Sequence, residues 1–373
     1  MTQLAAHEAQ QTMEDLRTKV RALAEDWFRE SGTRPLMDPW LRGFEPEFSK
    51  RLSSEGLIGI TWPAEYGGGG RSNAARLAVT EELLRAGAPS AAHWISERQI
   101  GPAILRHGSA ALKEEILPGI VSVDNIFCLG MSEEHAGSDL AAVRTRAEKV
   151  DGGWLLTGRK MWTGYAHKAT HAYVLARTSD GVRKHEGLSE FIVDMGEGVS
   201  VTPILNMAGE HRFNQVDFRD VFVPDIRLLG AEGNGWRQVV EQLSFERGGA
   251  ERYLSSYLLF TELLRRLRKT GIGLQEMVGS LVQRLTVLRH LAFLTAEALD
   301  RGEAPIRQAA ALKLLGNQFE VDILESFRKT LRPEDLARTS NYSIGVQSAP
   351  GFELRGGSVE VLLSIIAKEE ARP

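Results

Sequence analysis

The sequence predicts an α+β chain of several domains. A helical N-terminal domain is expected over 1–124, an antiparallel β-barrel or sandwich over 125–233, and a C-terminal helical bundle over 234–373. Three observations carry this. At 373 residues the chain is too long for one ordinary core. Apolar residues recur with helical period at both ends. Between those ends lie short β-like runs with no helical pattern of ten or more residues, which argues against βαβ units and for antiparallel pairing.

The first domain opens with Thr12 and Asp15 spaced as a capping box, and Leu16, Val20, Leu23 and Trp27 continue a helical stripe to Gly32. Further helices fit Glu45–Glu55, Asn73–Ala86, Ser96–His107 and Ala110–Leu117, the last stopped by Pro118-Gly119. The loop Trp62–Gly70 ends in four glycines, which cannot extend a helix and bring backbone close to a neighbour or a sharp turn. It lacks the Lys-Ser/Thr of a P-loop.

The middle domain is read from Ile126–Leu129, Trp154–Thr157, His171–Ala176, Phe191–Val193, Val199–Ile204, Val216–Phe218 and Val221–Val223, with Asp151-Gly152-Gly153 as the clearest hairpin turn. Helices follow over Gly235–Ala250, Glu251–Lys269, Leu274–Asp300 and Ala304–Leu331, then a less regular stretch and a last helix over Val359–Ala371.

Composition is that of an ordinary globular protein, with 43% apolar and 25% charged residues. A net charge of −4 gives no field favouring nucleic acid or an anionic membrane. The single cysteine, Cys128, excludes an internal disulfide and a Cys-based metal cluster, and its neighbours Phe127 and Leu129 mark it as a buried thiol. No metal site is expected. No run approaches the ~18 apolar residues of a membrane span, and Glu8, Glu14 and Asp15 argue against a transit peptide. A cytoplasmic protein is expected.

Three stretches hold chemistry. Gly130–Asp139 (GMSEEHAGSD) offers hydroxyls and exposed amides, suited either to a polar ring or phosphate or to a plain hairpin turn. Gly158–Tyr165 (GRKMWTGY) places Trp162 and Thr163 where they flank a ring or join the core. Val239–Gly249 (VVEQLSFERGG) puts Val239, Val240 and Leu243 on one helical stripe with Glu246 on the same face and Arg247 beside it. A carboxylate there is either a buried Glu–Arg ion pair or a base.

In order along the chain, these stretches resemble the acyl-CoA dehydrogenase family. Trp62–Gly70 fits W-P-x-E-[FY]-G-G-x-G, and Ser132–Asp139 fits T-E-P-x-A-G-S-D with Ser for Thr and Glu134-His135 for Pro-x. Leu140–Thr145, Asp151–Trp162, Asn214–Pro224 and Gly233–Trp236 match the segments that follow. The resemblance implies a C-terminal four-helix bundle, with FAD between the middle and C-terminal domains. It implies that Met131 and Ser132 face the pyrimidine edge of the flavin, that Ser138 contacts the CoA ester or a nearby phosphate, and that Trp162, Thr163 and Gly164 flank the ring. Gly164 stands where relatives carry a hydroxyl for flavin N5, so Thr163 or a backbone N–H would substitute.

The reaction implied is removal of an acyl-CoA α-proton with hydride passing from the β-carbon to FAD, which needs a shielded carboxylate and donors for the thioester oxygen. Many relatives carry that carboxylate in a late E-G-T-x-E-[IV] motif. Here Gly357-Ser358-Val359-Glu360-Val361 and Ile365-Ile366-Ala367-Lys368 set the register, and the base position is Gly356. Isovaleryl- and long-chain-type members instead carry Glu in an E-R pair, which Glu246-Arg247 matches. Glu246 is then the base and Arg247 its organiser, Gly356 donates its N–H to the thioester oxygen, and Ser358 matches a Thr that touches FAD.

The R-x-x-F-G and Q-x-x-G-G-x-G-Y segments with which tetrameric relatives reach a neighbour's FAD are absent, as in subunits of heteromeric dehydrogenases for steroid side chains. The partners expected are an acyl-CoA substrate, an electron-transfer flavoprotein or similar acceptor, and a homo- or hetero-oligomeric assembly. Two alternatives stand beside the dehydrogenase: a flavin oxidase or monooxygenase on a substrate without CoA, and a non-catalytic subunit of a heteromeric enzyme.

Overall fold

A computed structural model gives the fold and describes residues 3–181, 183–270, 275–337 and 339–371; the side chains of 3–11, 243–246, 267–270 and 275 lie outside that description. The N-terminal helices are α1 (Gln3–Ser31), α2 (Pro39–Arg42), α3 (Pro46–Ser54), α4 (Asn73–Ala86), α5 (Ala91–Ile95), α6 (Gly101–His107) and α7 (Ala110–Val121). A π turn over Ser96–Ile100 joins α5 to α6. Ser72 and Ser109 cap α4 and α7 by accepting from the amides of Ala75 and Leu112, as short hydroxyl side chains do at helix starts. Pro118 does not end α7 as the sequence predicts. It removes one backbone bond, and the buried Leu117 and Ile120 carry the helix on to Val121.

The middle segment forms β1 (Phe127–Gly130), β2 (Arg146–Val150), β3 (Gly153–Gly164), β4 (His171–Arg177), β5 (Leu188–Asp194), β6 (Val199–Leu205), β7 (His211–Pro224) and β8 (Leu228–Leu229). They make one eight-stranded sheet in the order β6-β7-β3-β2-β4-β5-β8, with β1 beside β4. The expected β domain between two helical parts is present, but its sheet does not close into a barrel, and β1–β4 and β2–β4 pair in parallel where antiparallel pairing was expected. The β1–β4 pair is parallel, with Phe127 opposite His171, and the chain between them forms the β2–β3 hairpin. That hairpin turns at Asp151-Gly152 as predicted, pairing Val150 with Gly153. One face of the sheet is packed by Trp154, Leu156, Val174, Phe191, Val193, Val216 and Phe218 around Cys128, whose thiol burial pushes up to about 12.

The C-terminal helices are α8 (Gly235–Arg247), α9 (Tyr257–Thr270), α10 (Gln275–Asp300), α11 (Ile306–Arg328), α12 (Asn341–Leu354) and α13 (Val359–Glu370). Helix α11 is central and packs against α9, α10, α12 and α13. The stretch read as irregular is α12. Gly345 lets it lie close on α11, since a Cβ there would sit 2.6 Å from Leu324 Cδ2. On α8, Val239 is buried but Val240 is 47% exposed, so the apolar stripe is narrower than the sequence pattern suggests.

The chain forms two compact units. In the first, residues up to Trp62, Gly69–Ala91 and those from Leu243 onward pack together, with α4 against α1, α9 and α10. Its interior holds Glu81, bonded by Tyr253 Oη at 3.0 Å, Arg289 at 2.9 Å and Arg17 at 2.7 Å. Burial opposes that charge, but Arg289 and Arg17 hold the carboxyl below its usual range. The second unit contains the sheet, α6 and α7. Among the described residues, no helix is long and apolar enough to cross a membrane.

Candidate functional site

In the sheet unit the chemistry-bearing residues gather at the end of β1 and the far half of β3. Met131 and Ser132 follow β1 directly, and the Ser132 carbonyl accepts from Met161 N at 2.9 Å. Beneath them lies a buried ion pair. Lys160 Nζ, fully buried, donates to Glu133 Oε1 at 2.8 Å and to the Met131 carbonyl at 3.1 Å. Glu133 also accepts from Arg144 N at 2.7 Å, Thr145 N at 2.9 Å and Thr145 Oγ1 at 2.6 Å. Burial brings the Lys160 ammonium down to about 8 against the pull of Glu133. Burial also opposes the Glu133 charge, but Lys160 and the Thr145 and Arg144 bonds hold its carboxyl below the usual range. The pair is ionised near neutral pH and pins the backbone that carries Met131 and Ser132.

Further along β3 the side-chain alternation changes. Trp154, Leu156 and Lys160 share the buried face, and an uninterrupted strand would put Trp162 there too. A register shift against β7 between Lys160 and Thr163 breaks that parity, and Trp162 takes a φ of 61°. Bulges re-aim side chains in this way. Trp162 is 58% exposed as a result, with Phe213 edge-on at 6.3 Å. Thr163 is buried instead, and its Oγ1 has no hydrogen-bond partner among the described residues. Gly164 has open space where a Cβ would stand.

Behind Thr163, the buried Asn214 donates from Nδ2 to the Thr163 carbonyl at 3.0 Å. Its Oδ1 is shared by His167 Nδ1 at 3.2 Å and His211 Nε2 at 2.7 Å, whose rings stack at 3.9 Å. Ser138 is exposed in the loop after β1, beside Asp139, which accepts from Lys184 Nζ at 2.7 Å.

The helical unit holds the other predicted residues. Arg247, at the end of α8 and 8% exposed, donates from Nε to the Gly356 carbonyl at 2.8 Å. Gly356 and Gly357 have φ of 72° and 114°, a left-handed turn between α12 and α13 that suits glycine alone. The Gly357 Cα faces the same guanidinium, which lies 3.5 Å from where its Cβ would be. Ser358 stands at the N-cap of α13 without a side-chain cap bond. Glu246 lies on α8, but its side chain is outside the described residues.

Sequence reasoning missed three supporting groups. Lys160 lies in a motif the sequence singles out, and the period-two pattern of Trp154, Leu156 and Lys160 marks its buried face. Glu190 on β5 is fully buried and accepts from Tyr173 Oη at 2.6 Å, its Oε1 having no partner among the described residues. Burial pushes its carboxyl up to about 8. No local signal marks it. Asp38, 1% exposed with a φ of 53°, accepts from Arg355 Nη1 at 2.8 Å, a pairing across 317 residues.

These residues fit a planar, hydrogen-bonding cofactor on the sheet unit. An exposed Trp in a strained conformation, an unpartnered hydroxyl at Thr163 and empty space at Gly164 are features a protein without a ligand has no reason to maintain together.

Comparison with known proteins identifies the family. Residues 10–124, 128–221 and 233–370 match the family models described as acyl-CoA dehydrogenase N-terminal, middle and C-terminal domain. The chain is 40% identical over 202 residues to acyl-CoA dehydrogenase IpdE1 of Mycobacterium tuberculosis, covering 54% of this chain and 52% of that protein. It thus spans about half the length of that relative. It is 34% identical over 337 residues to mitochondrial isovaleryl-CoA dehydrogenase of Arabidopsis thaliana, covering 86% and 82%. Among solved structures, the Tcur3481-Tcur3483 steroid ACAD superposes with a TM-score of 0.85 at 26% identity, covering 97% of each chain. The chain belongs to the acyl-CoA dehydrogenase family of flavoprotein oxidoreductases.

Proposed function

We propose that the protein is a FAD-dependent acyl-CoA dehydrogenase that removes the α-proton of a CoA thioester through Glu246. The supporting observation is the Arg247 Nε to Gly356 O bond. It joins the arginine of the E-R pair to the position where other relatives carry the base and this chain carries glycine. When bound, FAD would supply the redox chemistry as acceptor of the hydride from the substrate β-carbon.

The chain's own residues do the rest. Met131, Ser132, Trp162, Thr163 and Gly164 hold and orient the ring, with Lys160–Glu133 and Asn214 fixing their backbone. Ser138 serves both the thioester and the cofactor phosphates, and Ser358 a further cofactor contact. Glu246 accepts the proton at its carboxylate, Arg247 holds the turn opposite, and the Gly356 N–H receives the charge that develops on the thioester oxygen. An electron-transfer flavoprotein or a similar acceptor is the redox partner this reading calls for.

Anaerobic addition of a panel of acyl-CoAs tests this by flavin bleaching. Glu246→Gln is expected to keep FAD and to lose bleaching by at least ~100-fold, the scale of a general base. Near-normal turnover of that variant would remove Glu246 from the mechanism, and bleaching by no CoA ester would remove the substrate class.

The absent R-x-x-F-G and Q-x-x-G-G-x-G-Y segments, with the likeness to a steroid dehydrogenase named for two chains, favour a second element of the reading: a partner chain completes the cofactor site. One FAD per subunit in a homo-oligomer of the chain purified alone would sink it.

A further inference from the structure

We propose that Arg355, anchored by Asp38, is a positioning residue that aims the Gly356 N–H at the thioester oxygen; the inference rests on the dehydrogenase reading above. The Gly356 N–H belongs to the peptide joining Arg355 to Gly356, so its direction is set by the torsions of those two residues.

Both sides of that peptide are fixed. Upstream, the Arg355 N–H and Nε each donate to the Gly351 carbonyl, at 3.0 and 2.9 Å. Arg355 Nη1 reaches Asp38 Oδ2 at 2.8 Å, and its guanidinium lies over the rings of Trp40 at 5.1 Å and Phe352 at 5.2 Å. Downstream, Arg247 holds the Gly356 carbonyl at 2.8 Å.

Asp38 is itself fixed. Its N–H donates to the Ser255 carbonyl at 2.9 Å, its left-handed φ is 53°, and Trp40 Nε1 donates to Ser255 Oγ at 3.0 Å. Ser255 N and Ser256 N donate in turn to the buried Glu320 at 2.6 and 3.2 Å. A flexible diglycine turn is a poor oxyanion donor, because an unfixed N–H loses orientation each time charge develops. Clamping each side removes that freedom before the substrate arrives. An arginine suits the task because its planar fork meets a carboxylate, a carbonyl and two rings at once, which a lysine cannot do.

In the step served, the α-C–H bond breaks, the proton goes to Glu246, and the electron pair spreads onto the thioester oxygen facing Gly356. A 3-thia-acyl-CoA, which loses its α-proton but cannot be dehydrogenated, isolates this step. Its enolate beside oxidised flavin gives a long-wavelength charge-transfer band with a measurable pH midpoint.

In the FAD-loaded enzyme as purified, Asp38→Asn and Arg355→Met are expected to raise that midpoint. Each is also expected to slow bleaching by an acyl-CoA on the order of 10- to 100-fold with little change in KM, the scale of a misaimed catalytic contact. Arg355→Lys is expected to recover part of the loss. A merely structural role would lower Tm without moving the midpoint. Asn keeps the shape of Asp38 and tolerates the left-handed backbone, so Asp38→Asn decides the matter if Arg355→Met does not fold. Wild-type bleaching with unchanged midpoint and rate in Asp38→Asn overturns this inference alone. Absence of both band and bleaching in the wild type overturns the dehydrogenase reading with it.

Discussion

Arg247 Nε donates a 2.8 Å hydrogen bond to the carbonyl oxygen of Gly356, across 109 residues of sequence. The bond ties the end of α8 to the diglycine turn before α13. A guanidinium that is 8% exposed must keep its donors occupied. A glycine pair with positive φ offers its carbonyl without a side chain in the way.

Arg247→Met tests that bond. Removing the donor is expected to cost about 1 kcal/mol of unfolding free energy, the usual worth of a partly buried hydrogen bond. Urea denaturation reads it. Arg247→Lys should recover little, since an ammonium cannot reproduce the planar Nε contact. A variant as stable as wild type would reduce the bond to an incidental contact.

Lys160 and Glu133 give a second prediction. Lys160→Met leaves the Glu133 carboxylate in place with its Thr145 and Arg144 donors but no counter-charge. Breaking one side of a buried pair costs about 3–5 kcal/mol. The double variant Lys160→Met/Glu133→Gln should regain part of it. FAD retention should fall with Lys160→Met, because the Met131 carbonyl loses its donor. Equal FAD content in wild type and variant would separate the ion pair from the cofactor.

Glu190 gives a pH dependence. Its folded carboxyl titrates at about 8, above the ordinary 4.5, so the folded chain keeps a proton that the unfolded chain releases. The stability this contributes is fully present below about 4.5 and is lost as the pH rises through about 8. Glu190→Gln keeps an acceptor for Tyr173 Oη and removes the titration. The Tm of the variant relative to wild type should therefore climb between pH 5 and pH 8. Each pH unit within the window is worth up to about 1.4 kcal/mol. A constant Tm difference across that range would show that Glu190 is not carrying the proton.

Gly164 gives a prediction of gain. Nothing lies within 4 Å of the place its Cβ would occupy. Gly164→Ser should leave stability within about 0.5 kcal/mol of wild type, as surface substitutions do. It should also tighten FAD, by supplying the hydroxyl that relatives carry there. Dialysis against chaotropic salt followed by flavin absorbance measures it. Weaker retention would mean that Gly164 is required bare.

Much of the architecture was legible because it is written in local spacing. Helical period places α1, α4, α10 and α11, Asp151-Gly152 places the β2–β3 turn, and apolar neighbours bury Cys128. Each rests on residues within one turn or one hairpin of each other. Helix α12 lies in the stretch read as less regular: it contains Gly345, Pro350 and Gly351, which local spacing does not favour in a helix, and it packs on α11.

The sequence by itself determined the family motifs, the α–β–α order and the glycine at position 356. Tertiary structure decided what those residues meet. The parallel β1–β4 pair, the bulge that turns Trp162 outward, the Tyr173–Glu190 bond and the Asp38–Arg355 pair depend on segments brought together by burial of the core. Side-chain period within one strand says which face a residue takes, but a partner 317 residues away leaves no mark on that period.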